Sequence, residues 1–225
     1  MQTATMPTFL VRSSEDWQKL PGNIDALHTR QIFETDNALG LPVIGNAGPI
    51  RPDRLHPYNQ RTRSTDKLNR SAVHFFLDDY QFEVAWNRPN RALSYVRRFD
   101  VAITPDFSIW SHWPLALQQW NTYRNRWIGA FWISEGLTVI PSVSWAGPKS
   151  FDFAFAGILR NSTVAISTVG CNVNAKSRGN FIDGYCEMIE RLTPTLVLCY
   201  GRMPFESIVE TIEYPTFWEE RKAYA

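Results

Sequence analysis

The sequence is poor in the features that usually announce a function. Three cysteines in 225 residues, Cys171, Cys186 and Cys199, are an odd number at wide spacing. That is neither a disulfide framework nor a zinc pattern, and it fits a reducing compartment. An excess of one charge is lacking as well: 23 Lys and Arg stand against 22 Asp and Glu, so net charge argues for no partner. No apolar run reaches the roughly 18 residues that a membrane helix needs. The opening MQTATMPTFLVRSSEDW lacks the apolar core of a signal peptide. A soluble, cytoplasmic protein is the expectation. Missing too are a G-x-S-x-G elbow, a Walker A loop and a G-x-G-x-x-G fingerprint, which takes weight from the familiar serine hydrolases, P-loop NTPases and dinucleotide enzymes. The histidines His28, His56, His74 and His112 have no metal-ligand spacing.

What is present is an ordinary globular composition, 44% hydrophobic and 20% charged, with one excess: nine Trp, eight Tyr and 14 Phe. Packing accounts for most such rings. Residues 1–70 are punctuated by Pro21-Gly22, Leu41-Pro42, Gly48-Pro49 and Arg51-Pro52, and read as an irregular, partly basic segment. Within it, Leu39 to Ile44 could form a short strand. Arg51, Arg54, Arg61, Arg63, Lys67 and Arg70 face only Asp53 and Asp66, the one clear charge asymmetry of the chain. A solvated connection explains them, and so does a loop contacting DNA or RNA phosphates.

From residue 71 to 225 the pattern is that of an α/β domain. Short apolar runs at Ala72–Leu77, Val101–Thr104, Leu137–Val143, Thr163–Thr168 and Thr195–Tyr200, and a weaker Ile208–Ile212, read as strands covered on both sides. Amphipathic segments lie between them: Pro89–Phe99, Pro114–Glu135, Arg178–Leu192 and a brief helix in Lys149–Gly157. In the second of these, Ala116, Trp120, Tyr123, Trp127 and Phe131 form a stripe read as core. Repeated βα units give a parallel sheet of five to six strands, either incomplete and TIM-barrel-like or open and twisted.

In such sheets ligands bind outside the carboxyl ends of the strands. Here five successive exits are polar: Asp78 and Asp79; Asp106 and Ser108; Ser144 and Trp145; Thr168; and Tyr200 with Arg202. Adjacent strand residues face opposite ways, so only one of Asp78 and Asp79 enters a given pocket, and parity alone does not choose. Asp79 and Asp106 are the candidate catalytic pair, for acid/base work or for holding Mg²⁺. Each could equally cap a helix. Asn121 and Arg124, three apart on the long helix, could reach back to a substrate, with Arg124 and Arg202 neutralising an anion; an internal salt bridge is the competing use of Arg124.

The strings HFFLDDYQFE, TPDFS, PLALQQWNTYRNRWIGAFW, IPSVSW, AISTVG and LCYGRMP resemble domain-of-unknown-function family 4417 over about Ala72 to Trp218. The resemblance implies an intracellular protein, with a phage or other mobile element as one source, and lends no catalytic residues. The exit Leu77-Asp78-Asp79-Tyr80-Gln81 is also loosely similar to the strand-end aspartate and aromatic-Gln of tRNA-guanine transglycosylases, without the intervening glycines or a zinc site. Together these readings give an enzyme acting at the mouth of its sheet on a nucleotide, nucleic acid or other phosphate- or sugar-bearing substrate. The alternative is a non-catalytic nucleic-acid-binding accessory protein.

Overall fold

The computed structural model describes residue 28 and residues 31–46, 48–60, 68–171 and 174–223. The chain divides into two units, Met1–Ile32 and Phe33–Ala225, and the second holds the strands and helices that follow. Its strands are β1 (Arg54–Pro57), β2 (Leu68–His74), β3 (Phe99–Ile103), β4 (Thr138–Ile140), β5 (Thr163–Ser167), β6 (Leu196–Tyr200) and β7 (Thr211–Tyr214). Its helices are α1 (Val84–Asn87), α2 (Pro89–Val96), α3 (Leu115–Ser134), α4 (Phe151–Ala154), α5 (Ala175–Leu192) and α6 (Phe217–Ala223).

All strand pairs are parallel, and neighbours in the sheet are neighbours in the chain: β1-β2-β3-β4 in one sheet and β5-β6-β7 in the other. The two are stitched where β4 gives way to loop. Val143 N donates to Ala165 O at 2.8 Å and Ala165 N to Pro141 O at 2.8 Å. Asn46 spans the same seam, its Nδ2 donating to Val139 O and Thr163 O while its Oδ1 accepts from Thr163 N. A side-chain amide thus supplies the pairing that the short β4 cannot. Among the described residues seven strands replace the expected five to six. The extra one, β1, lies in the segment read as irregular, where Arg54 and Pro57 mask an edge strand that needs little apolar content. The final strand starts three residues later than the run Ile208–Ile212 suggested. Leu39 to Ile44 forms isolated bridges, Pro42 with Thr35 and Ile44 with Ile158, rather than a strand.

The sheet is strongly curled. The Tyr200 ring on β6 lies 4.5 Å from His74 on β2 and 5.5 Å from the Phe76 ring just beyond it. Four strand spacings in a flat sheet would separate β2 from β6 by about 19 Å. Every strand contributes to one interior: Leu55, Ala72, Ile103, Ile140, Ala165, Leu198 and Tyr214 pack in a single cluster. Between β7 and β1 no ladder forms among the described residues; Tyr214 Oη donates to Pro52 O at 2.6 Å and Arg51 pairs with Glu210 at 2.8 Å instead. On the outside, Val164, Ile166, Val197 and Cys199 pack under Tyr185, Met188 and Leu192 of α5.

The α3 helix departs from the expected stripe. Trp127 and Phe131 are buried, but Ala116 and Trp120 are exposed, and the buried face of its middle is polar: Asn121, Arg124, Asn125 and Arg126. The physical reason lies in the loops it covers, whose backbone carbonyls need donors. Closer to its end, Gly129 allows near contact, since a Cβ there would lie 2.8 Å from Thr104 Cγ2.

Candidate active site

A cavity of about 700 Å³ opens at the carboxyl ends of the strands. Interior parity on β2 runs through Ala72, His74 and Phe76, and continuing it brings Asp78 to the cavity. Outward parity runs through Phe75, which meets Trp132 of α3, so Asp79 leaves on the other side. The next exits add Asp106, Ser144 with Trp145, Ser167 and Tyr200, and the segment after β7 adds Phe217 and Trp218.

Asp106 is held by a buried network. Asn125 Nδ2 donates to Pro105 O and to Ser142 Oγ, both at 2.8 Å, and its Oδ1 accepts from Thr104 Oγ1 and Arg126 Nη1. Every donor and acceptor site that this amide uses is thus spent on fixing the β3 and β4 exits. The Asp106 carboxyl is pushed up to about 6, first because burial disfavours its charge, and further by the charge of Asp79; the Ser144 hydroxyl and the buried Arg126 act in the opposite direction. Its Oδ1 is buried and has no hydrogen-bond partner among the described residues. Arg126 donates to Ala156 O and Ala154 O, and burial lowers its guanidinium to about 9 against the pull of Asp106.

Asp78 differs in exposure and in partners. It is exposed, and its Oδ2 accepts from Gln81 Nε2 at 3.2 Å, while Gln81 Oε1 accepts from Asn59 Nδ2. Two amides in series therefore orient one carboxylate toward the cavity. The wall beside Asp106 is Trp145, whose Nε1 donates to Asn180 O at 3.0 Å. A Cβ at Gly184 would lie 2.1 Å from that nitrogen, so the glycine makes the seat for the indole.

Of the residues singled out from sequence, Asp78, Asp106, Ser108, Ser144, Trp145 and Tyr200 line the cavity together. Asp79 does not. Its carboxylate accepts from Ser108 N at 3.2 Å and Ser108 Oγ at 2.9 Å, clamping the β2 exit to the β3 exit. Asn121 donates to Ser108 O at 2.6 Å, and Arg124 donates to Asn121 Oδ1 at 2.7 Å. Arg124 also pairs with Glu83 at 2.6 Å and lies 3.8 Å from the centre of the Phe107 ring. This is the internal salt bridge expected as the competing use of Arg124, and Arg124 is not among the residues that line the cavity. Thr168 turns away to Tyr200 O, and Ser167 takes its place at the cavity. Arg202 is exposed and 3.5 Å from Glu219.

The basic segment is only partly described: Arg61, Arg63 and Lys67 lie outside the described residues. Arg51 is bidentate to Glu210, Arg70 pairs with Asp53 at 2.7 Å, and Arg54 Nε donates to Ser71 Oγ. These three sit at the amino ends of β1 and β2, away from the cavity. Gln81, Trp110, Phe217 and Trp218 were not read from sequence as site residues. Trp110 ends the string TPDFSIW, and the other signal was the polar exit of a strand whose end the apolar run placed too early. Among the described residues no three His, Cys, Asp or Glu side chains gather as metal ligands, and no helix is long and apolar enough to cross a membrane. Asp78 and Asp106 are the donors that a Mg²⁺ ion would find in the cavity.

Residues 33–217 match the family model described as Domain of unknown function (DUF4417). The chain belongs to the DUF4417 family. The match begins at Phe33, well before the Ala72 at which the resemblance was placed, so it takes in the segment that carries β1 and Asn46. The cavity residues named above lie within the DUF4417 match, except Trp218, which follows its last residue. The chain is 43% identical over 217 residues to the "Gene 1 protein" of Mycobacterium phage L5, covering 95% of this chain and 94% of that protein. It is 40% identical over 215 residues to the "Gene 1 protein" of Mycobacterium phage D29, covering 94% and 79%. No solved structure gives a significant match.

Proposed function

We propose that this DUF4417 protein is an enzyme that carries out proton-transfer chemistry on a small nucleobase- or sugar-bearing molecule at the mouth of its sheet, in the cytoplasm of the cell that makes it. The observation that carries the reading is Asp106: a carboxyl in the lining of a cavity of ligand size, raised to about 6 by its burial. A group poised near neutrality can give a proton and take it back within one turnover. Asp78 is exposed at the rim of the same cavity, and Gln81 orients it. Two carboxylates in unlike surroundings are how acid and base roles become divided. Phe76, Trp110 and Trp145 supply flat apolar faces for a base or a sugar ring.

The test is a turnover screen. Nucleosides, nucleotides and aryl glycosides are incubated with the full chain, and products are followed by mass spectrometry, with and without Mg²⁺. The reading expects one class to be consumed by the parent and spared by Asp106→Asn, with both proteins folded by circular dichroism. Equal turnover by parent and variant would remove Asp106 from the chemistry. A parent inert toward all classes, with and without the metal, would favour a binding or accessory role.

A further inference from the structure

We infer that the ligand presents a positively charged nitrogen to this cavity, seated between Asp106 and the aromatic wall and drawn in by Asp78. The inference rests on the proposed cavity and names the chemistry of the group it receives. The two acidic side chains of the lining are Asp78 and Asp106, from the exits of adjacent strands, and among the described residues the lining holds no lysine, arginine or histidine. The cations expected there are spent elsewhere: Arg124 on Glu83 and Phe107, Arg202 beside Glu219. A phosphate entering this space would meet two carboxylates, while Arg126, the cation that acts on Asp106, is buried outside the lining with its donors on Asn125, Ala154 O and Ala156 O, which is unfavourable for an anion in a partly desolvated site.

A nitrogen cation meets the opposite situation. Asp106 and Asp78 are both in the lining, and an N–H cation beside them would offset their charge through a charge-assisted bond. The rings of Phe76, Trp110, Trp145, Tyr200, Phe217 and Trp218 surround the same space. Aromatic faces attract a cation through their quadrupole, more strongly where water is excluded. Trp145 is held in place for this by the Gly184 seat and by its bond to Asn180 O. Neither a neutral alcohol nor an anion uses both features.

Three probes sharing one ring and differing in charge test this on the full chain: benzylamine, benzyl alcohol and benzyl phosphate, titrated by ligand-observed NMR at pH 7.5. Benzylamine should bind at least about tenfold more tightly than benzyl alcohol, the factor expected of one desolvated cation–aromatic or charge-assisted contact. Benzyl phosphate should bind most weakly. Asp78→Asn and Asp106→Asn should each shrink the amine preference several-fold and leave benzyl alcohol unchanged. Benzyl phosphate binding as well as the amine would overturn the inference while leaving the cavity as the site. An amine preference that survives both variants would also overturn it, by locating the amine elsewhere. Absence of binding by all three probes would sink this inference and the proposed site together.

Discussion

Replacing Asp106 by Asn should make the protein more stable at neutral pH. The carboxyl moves from an ordinary 3.8 to about 6 on folding. At about 1.4 kcal/mol per pH unit, that difference is worth about 3 kcal/mol. The sign follows from proton counting. Between the two values the unfolded chain has lost its proton and the folded chain keeps it, so stability falls as pH rises. The contribution is complete below 3.8 and gone above about 6, where the folded protein carries an ionised carboxylate in a poor environment. An amide has no charge to bury, and its oxygen can still accept from Ser144. Asp106→Asn should therefore gain about 2–3 kcal/mol at pH 7.5 and nothing at pH 4. In a chain of this size that corresponds to a rise in Tm of roughly 4–12 °C. His74 titrates over an overlapping range with the opposite effect. Burial lowers it to about 3, so its contribution is present above its ordinary 6.5 and is lost as pH falls. Urea unfolding of parent and variant across pH 4 to 8 separates the two, because His74 cancels in the difference. A variant less stable than the parent at pH 7.5, or a difference that does not grow with pH, would refute the reasoning and make Asp106 a structural residue.

The remaining predictions concern the supports of the site. Asn46→Ala removes the amide that joins β4 to β5 and should cost roughly 2–4 kcal/mol, read as a lower urea midpoint, because it strips partners from Thr163 and Val139. Gly184→Ala puts a methyl 2.1 Å from Trp145 Nε1 and should cost about 1–3 kcal/mol while shifting the indole emission; unchanged emission and Tm would mean that Trp145 is not seated there. Arg124→Lys keeps the charge but cannot bond Glu83 and Asn121 while stacking on Phe107, so a loss of about 1–3 kcal/mol in thermal unfolding is expected, against almost none for an ordinary surface exchange.

Much of this protein was legible in its sequence because the signals are local. Apolar runs such as Thr163–Ser167 and Leu196–Tyr200 are buried on both faces, and that pattern needs no knowledge of partners. The polar residue that follows each run marks the end where a parallel sheet binds, whatever the sheet's closure. Helix α5 begins where Asn174 accepts from Ser177 N, within three residues of the start expected from periodicity. Strand β1 escaped because an edge strand with Arg54 and Pro57 owes its place to pairing with β2, not to its own composition.

Tertiary structure decided the rest, wherever a residue's role depends on a partner distant in the chain. Asp78 and Asp79 are adjacent, and only the direction in which the sheet curls sends the first to the cavity and the second to Ser108. Arg124 has the chemistry of an anion ligand, yet Glu83 and Phe107 arrive from other segments and take it. The polar face of α3 violates the amphipathic rule because the covered loop carbonyls at Pro105 and Ser108 needed donors there. Side-chain type and spacing determine what a residue can do, and long-range packing determines what is within its reach.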